Sequence, residues 1–472
     1  MPRALRETSV GGADTGVAWP ARAVAWYAVT VLMAAYTLSY IDRTILSLLV
    51  RPIKGDLGLT DTQFSLLQGF AFACLYAVLG LPMGALADRV RRKNLIAGGI
   101  GIWSGMTTLC GLAQSFGFLF AARVGVGIGE AALGPAAYSM IADSFAPQQR
   151  GRALGVYSMG VYLGAGLAII IGGLVVAAVS QTPWLTVPLM GRVHAWQVVF
   201  FVVGLPGLAV ALWVLTVLEP VRRGQMPVSS SENGVSGFRA AARFMFSHRR
   251  FFICHFVGVG LLTLLFNAIS SWVPAYLQRR YGFGPRDVAL SYGPILLVAG
   301  ALGIFCGGWL ADSLRKRGYV DAEMRTVVLS ALLVWPFAAL ATVTSSVATS
   351  LVLLAPLFFF SSFAFAAAIA ALQMVTPSRL RGRVAAVYLL IVNLTGIGLG
   401  GTATALVTDY VMHDDRRVGA AMALVAGISA PIAALVLFRG LKYYRAAIAA
   451  VAEAGVDPLP VAMHVRPLEP GE

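Results

Sequence analysis

Four charged side chains lie inside otherwise apolar runs: Asp42 and Arg43 in one, Arg123 and Glu130 in another. An ion at the centre of a bilayer costs about 2.5–3.5 kcal/mol on insertion scales. Each of the four is therefore a candidate for binding or proton transfer. Arg123 and Glu130 are seven residues apart and share one helix face. Asp42 and Arg43 are adjacent, roughly 100° apart on a helix, and point toward different neighbours. In antiparallel helices the two arginines fall at similar distances from the outer end, so all four groups can meet at one depth. Two chemistries fit. One is a cavity that binds a charged head group and carries a proton, on Glu130 or on Asp42. The other is a static salt-bridge cluster that pins two helices. The asymmetry favours the first, because the matching positions of the second half, near Leu354 and Ser361, are uncharged.

Polar residues extend the pattern. Tyr36, Tyr40, Arg43 and Ser47 recur at helical spacing, as a stripe facing water or a ligand would. Helix–helix hydrogen bonds are the alternative. Asn267, Ser270, Ser271 and Asn393 are weaker cavity candidates, for which a structural role is favoured. The second half is otherwise apolar and aromatic, with Phe358, Phe359, Phe360, Phe363 and Phe365 in one run. A charged wall opposite an apolar wall suits an amphiphile.

The elements that must carry these residues follow from composition. Of 472 residues, 58% are apolar and only 12% charged. A soluble domain carries about a quarter charged residues, so this is an integral membrane protein. Roughly 20 apolar residues make one helical crossing, and twelve such runs occur: 24–50, 61–87, 94–114, 116–144, 151–180, 196–219, 250–280, 285–311, 325–345, 350–376, 382–411 and 418–440. The runs are continuous rather than alternating, which excludes a β-barrel. With both termini cytoplasmic, 26 of the 36 Lys and Arg fall on that side, 8 on the other and 2 within spans. The positive-inside rule sets that orientation. The formal charge of +15 sits in loops, so it reports topology rather than nucleic-acid binding.

The chain repeats itself. Gly84-x-x-x-Asp88 with Arg91, Arg92 and Lys93 returns as Gly308-x-x-x-Asp312 with Arg315, Lys316 and Arg317. Arg150-Gly-Arg152 returns as Arg381-Gly-Arg383, and Tyr157 as Tyr388. Two parallel six-helix halves fit this spacing. The division is a flexible N-tail (1–23), a first bundle (24–219), a linker (220–249), a second bundle (250–440) and a C-tail (441–472). In the linker, Phe238, Ala242, Met245 and Phe246 alternate with arginines, predicting a short helix on the membrane surface; residues 441–455 read the same way. The first residues hold no apolar core before a cleavage site, so no signal peptide is read.

Gly84-x-x-x-Asp88-Arg89-x-x-Arg92-Lys93 resembles motif A of the major facilitator superfamily, with Arg91 where a glycine is usual. Ser39-Tyr-Ile-Asp42-Arg43, Asp56-Leu-x-Leu59-Thr60-Asp61-x-Gln63 and Arg123-x-Gly125-x-Gly127-x-Gly129-Glu130 resemble the Spinster branch, whose animal members export sphingosine phosphate or lysophospholipids. The resemblance implies an all-α fold of twelve transmembrane helices in two pseudo-symmetric bundles, in a bacterial inner membrane. It also implies a cytoplasmic gate of Gly84, Asp88, Arg92 and Asp143, with Asp312 as the weaker second-half counterpart. Of the antiporter glycine motif, Gly151, Gly160 and Gly164 keep the spacing, but Ala165 replaces its proline.

Other classes are excluded. No lysine is followed by Ser or Thr, so a P-loop is absent. The histidines are scattered and the four cysteines stand apart in apolar runs, so no metal, cofactor or disulfide frame is expected. No intramembrane hydrolase motif appears, so the chain is not read as an enzyme. A sensor has no need of duplicated gating motifs. The expectation is a monomeric, proton-linked secondary transporter for an amphipathic anion or lipid-like molecule, surrounded by membrane lipids. A drug or small organic-anion exporter is the runner-up.

Overall fold

The computed structural model describes residues 19–87, 89–179, 184–187, 191–222, 235–377 and 380–453. Eleven helical stretches are long and apolar enough to cross a membrane. The twelfth, Arg92–Cys110, opens with Arg92, Lys93 and Asn94, which dilute its apolarity. It packs between Phe116–Ser144 and Ala195–Leu215 and completes the first six. Numbered along the chain, spans 1 to 6 are Arg22–Leu48, Asp61–Gly80, Arg92–Cys110, Phe116–Ser144, Arg152–Ala178 and Ala195–Leu215. Spans 7 to 12 are Arg249–Tyr281, Pro285–Lys316, Ala322–Leu340, Val347–Val375, Arg381–Met412 and Asp415–Val451.

Several spans are interrupted where the sequence predicts continuity. Span 1 tightens into a 3₁₀ turn at Ile45–Leu48 and resumes as a short helix, Val50–Leu57. Span 4 breaks at Ala131–Ala132, because Pro135 offers no amide to the Ala131 carbonyl. Spans 2 and 11 each contain a π-helical turn, Leu66–Phe70 and Leu394–Gly398, and the two turns face each other. Between spans 5 and 6, strand Trp184–Val187 pairs antiparallel with Gly191–His194.

The predicted linker helix exists as Val235–Ser247, but its packed side differs. Ala241 is buried and Phe244 lies against His248 and Phe252, whereas Phe246 is exposed. The separate surface helix read over 441–455 is a correction. Residues 441–453 hold no Gly or Pro, so span 12 runs unbroken as Val418–Glu453. Its end is tied down by buried Tyr444, which contacts Phe251, and by Arg445, which reaches Asp321 at 2.6 Å. Most of the expected N-tail, residues 1–18, lies outside the described residues.

The halves are joined unevenly. At the end away from the chain termini, one apolar core runs from Ile45–Val50, Phe64 and Ile169 of the first half into Trp272, Tyr276 and Leu296 of the second. At the terminal end the first half keeps a separate core of Ala25–Ala35, Ile96, Met140 and Tyr157. The seam between spans 5 and 8 explains the close approach. A Cβ on Gly173 would come within 2.7 Å of the Ala289 side chain and the Pro285 carbonyl. Tyr162 of span 5 also donates to Ser362 of span 10 at 2.7 Å. The far end is thus closed by packing.

Candidate functional site

Span 1 delivers Asp42 and Arg43 to different partners, as their angular offset requires. Arg43 Nε and Nη2 lie 2.7 and 2.6 Å from Glu130 Oε2. Ser39 donates to the same oxygen. The guanidinium is enclosed by aromatic rings, 4.8 Å from the centroid of Tyr40, 4.4 Å from Phe72 and 4.6 Å from Tyr76. Gly127 makes this possible: its bare Cα faces the Phe72 backbone, where a side chain would clash. Tyr36 stacks on Tyr157 at 4.7 Å and meets Tyr40 edge-on. Arg43 is thus held by one carboxylate and three aromatic faces, with only part of its side chain exposed.

The second pair is looser. Thr107 donates to Asp42, and Arg123 Nη1 stands 3.6 Å from the other Asp42 oxygen. That is an ion pair without a hydrogen bond. Arg123 is fully buried, and none of its three guanidinium nitrogens has a hydrogen-bond partner. Glu130 Oε1 is likewise buried and unpartnered. Leaving a buried charge this poorly satisfied costs several kcal/mol. The four groups therefore form a zero-net-charge cluster with spare donor capacity, concentrated on Arg123.

The remaining candidates divide. Tyr36 and Tyr40 line the Arg43 surround. Ser47 leaves the stripe, because the 3₁₀ turn buries it and its hydroxyl donates to the Thr44 carbonyl at 2.8 Å. Asn267 donates to the Thr263 carbonyl one turn back, at 2.9 Å. The Ser271 carbonyl accepts from Gln68 of the first half at 3.3 Å. Asn393 is half-buried at the end of the first helix of span 11.

At the terminal end, Arg92 is buried and donates from Nη1 to Asp143 at 2.5 Å and to Ser139 at 2.8 Å. It also binds Glu219 through Nε at 3.0 Å and the Pro220 carbonyl through Nη2 at 2.9 Å. Those last two partners are more than 120 residues away and carry no sequence signal. Gly84 has Pro135 as its nearest neighbour, 3.8 Å from a built Cβ. Asp88 lies outside the described residues.

The second half is held differently. Asp312 is exposed. The polar contacts move to the start of span 9, where Arg315 pairs with Glu323, and Asp321 accepts from Arg325 and Arg445 at 2.6 Å each. Met374 occupies the position that repeats Asp143, and Arg315 Nη1 lies 3.6 Å from its sulfur. Arg315, which repeats Arg91, thus meets a sulfur where Arg92 of the first half meets an acid.

The far end holds a network that sequence reasoning missed. Asp61 of span 2 is buried and accepts from Arg279 of span 7 at 2.6 and 2.7 Å, and from Lys54 at 2.5 Å. Lys54 also reaches Asp415 of the second half at 2.8 Å. Asp409 of span 11 accepts from the backbone and hydroxyl of Thr62 at 2.7 and 2.6 Å. Asp61, Asp409 and Asp415 are close enough to share a cation, but Lys54 and Arg279 already neutralise Asp61 and Asp415. One sign was available in sequence: Lys54 and Arg279 belong to the few basic residues on that side.

A model of the Major Facilitator Superfamily matches residues 32–401. This chain belongs to that superfamily. It is an integral membrane protein of the facilitator fold, in a family of transporters of small molecules. It is 28% identical to an MFS-type efflux pump of Mycolicibacterium smegmatis, over 89% of this chain and 94% of the pump. It is 27% identical to protein spinster of Drosophila melanogaster over 62% of this chain, and spans 46% of that longer protein. Among solved structures it is similar to a bacterial homolog of the human lysosomal transporter Spinster, in an inward-facing and unoccupied conformation. That likeness has a TM-score of 0.71 and 27% identity, over 92% of this chain and 98% of the other.

Proposed function

We propose that this facilitator is a proton-coupled secondary transporter for an amphipathic, anionic, lipid-like molecule, working by alternating access. Its terminal end faces the cytoplasm of a bacterial inner membrane, and the conformation described is closed outside. The observation that carries the reading is the pairing of Arg43, bound to Glu130 inside an aromatic surround, with a neighbouring Arg123 that has no hydrogen bonds.

Protonation of Glu130 removes the charge that holds Arg43. The freed guanidinium and the underused Arg123 then offer two cations to an anionic head group. Asp42, paired with Arg123, is the other group able to carry the proton. The apolar tail lies along the aromatic second half, where Phe266 meets Phe365 edge-to-face at 5.5 Å. Gly84, Asp88, Arg92 and Asp143 act at the cytoplasmic gate, and the Asp61 network acts at the outer one. The protein works as a monomer.

Purified protein in liposomes, given a lysolipid panel with and without an imposed pH gradient, tests substrate and coupling together. Wild type should respond to the gradient, and Glu130→Gln should not. If Glu130→Gln keeps the wild-type pH dependence, Glu130 is not the carrier and Asp42→Asn is the next variant. The likeness to an efflux pump over nearly the whole chain favours a second reading, export of a small organic anion or drug. Uptake of small anions but of no lysolipid in the same liposomes selects that reading.

A further inference from the structure

We propose that the far end of the second half carries a binding site for the phosphate of an anionic membrane lipid, held by Arg280, Arg416 and Arg417. The three arginines border a cavity of about 410 Å³ that Thr342, Gly419 and Ala420 also line. Eight Lys and Arg lie at the far end of the molecule, and three of the eight gather here. Their charge is barely answered. Among the described residues, no hydrogen bond or ion pair engages the side chain of Arg280 or Arg416, and Arg417 stands 3.9 Å from its nearest acid, Asp414. Clustering three like charges against one distant acid is unfavourable, so the cluster calls for an anion.

Two further features point the same way. Thr342, which lines the cavity, is 1% exposed, and its hydroxyl has no hydrogen-bond partner. The long helix Val418–Glu453 begins at the cavity, and Gly419 and Ala420 of its first turn line it. The positive end of the helix dipole there favours an oxyanion.

The surroundings select a lipid. Val343 on the cavity edge, and Leu340, Tyr410 and Val411 beside it, are exposed apolar side chains at the ends of spans 9 and 11. Acyl chains would cover them while the phosphate meets the arginines above. The site is separate from the Arg43 cluster, which lies inside the other half. It adjoins the outer network, since Asp415, bound to Lys54, is next to Arg416. A bound phosphate thereby steadies the turn that closes the far end.

The test is a thermal-unfolding titration of the full-length protein in neutral detergent with phosphatidylglycerol, phosphatidylcholine or inorganic phosphate. Phosphatidylglycerol should raise the melting temperature saturably, and the other two should not. Each surface arginine contributes roughly fivefold to attraction of an anionic lipid. Arg416→Gln should therefore raise the half-saturating concentration roughly fivefold, and R280Q/R416Q/R417Q roughly a hundredfold. Arg416 lies on an exposed turn, so the single variant keeps the fold if the triple one does not. A triple or single variant that saturates at the wild-type concentration overturns the site. Inorganic phosphate giving the whole response overturns the lipid.

Discussion

Replacing Asp61 with Asn should open the far end. The carboxylate is buried, and its bonds to Arg279 at 2.6 and 2.7 Å cross from one half to the other. Its bond to Lys54 stays within the first half and survives opening, so only the Arg279 pair bears on the conformational balance. A hydrogen bond to a charged group contributes about 1.5–3 kcal/mol. Asparagine keeps the shape and one weaker acceptor. Water and Asp415, 3.6 Å from Arg279, recover part of the loss. A net shift of about 3 kcal/mol follows, which is roughly 150-fold in the equilibrium. A hundredfold preference for the closed far mouth would become near parity. Spin labels replacing Arg51 and Arg286, exposed positions on opposite halves, report the distance across the mouth. Wild type should give one short distance and Asp61→Asn a second, longer one. Asp61→Asn combined with Arg279→Gln should add little, because both remove the same contact. An unchanged distance distribution in Asp61→Asn would refute the assignment of this network as the outer gate.

Other perturbations separate the remaining roles. Arg43→Lys keeps the charge but not the fork that places Nε and Nη2 on Glu130, and transport in liposomes should fall at least roughly tenfold; near-wild-type rates would show that charge alone suffices. Cysteines at Thr62 and Asp409, which bond across the halves, should arrest transport when cross-linked and release it on reduction, and transport that persists in the linked protein counts against alternating access. Gly173→Val should lower the melting temperature by overpacking the span 5–8 seam, a cost of roughly 1–3 kcal/mol. Burial pushes the Asp321 carboxyl up, but hydrogen bonds from Arg325 and Arg445 outweigh it and leave the group below its ordinary value. That stabilisation is complete above the unfolded value and is lost as pH falls through the folded one, below about pH 4. Asp321→Asn should melt lower at neutral pH and lose less on acidification; parallel pH profiles would rule the contribution out.

The sequence by itself determined the fold class. Apolar run length, the arginine bias and the returning Gly-x-x-x-Asp pattern required helical spans in two repeated halves, because a bilayer leaves no other way to satisfy the backbone. It also singled out Asp42, Arg43, Arg123 and Glu130, since a charge within a span has few alternatives to a polar partner. Packing then fixed the geometry of each pair, Arg43 on Glu130 and Arg123 beside Asp42. Gly127 lets Phe72 approach, and the ring then fixes Arg43 over Glu130 while Arg123 is left short of donors' partners. Ser47 shows the converse, a residue at the right period removed from the stripe by a 3₁₀ turn that no local propensity announces. The far-end network and the Arg92–Glu219 contact lay beyond sequence reasoning for one reason. Asp61 with Arg279, and Arg92 with Glu219, are more than a hundred residues apart, and periodicity reports only neighbours along one helix. The closed far end was decided in the same way, by small residues on spans 5 and 8 meeting in space, a relation that exists only once both halves have folded.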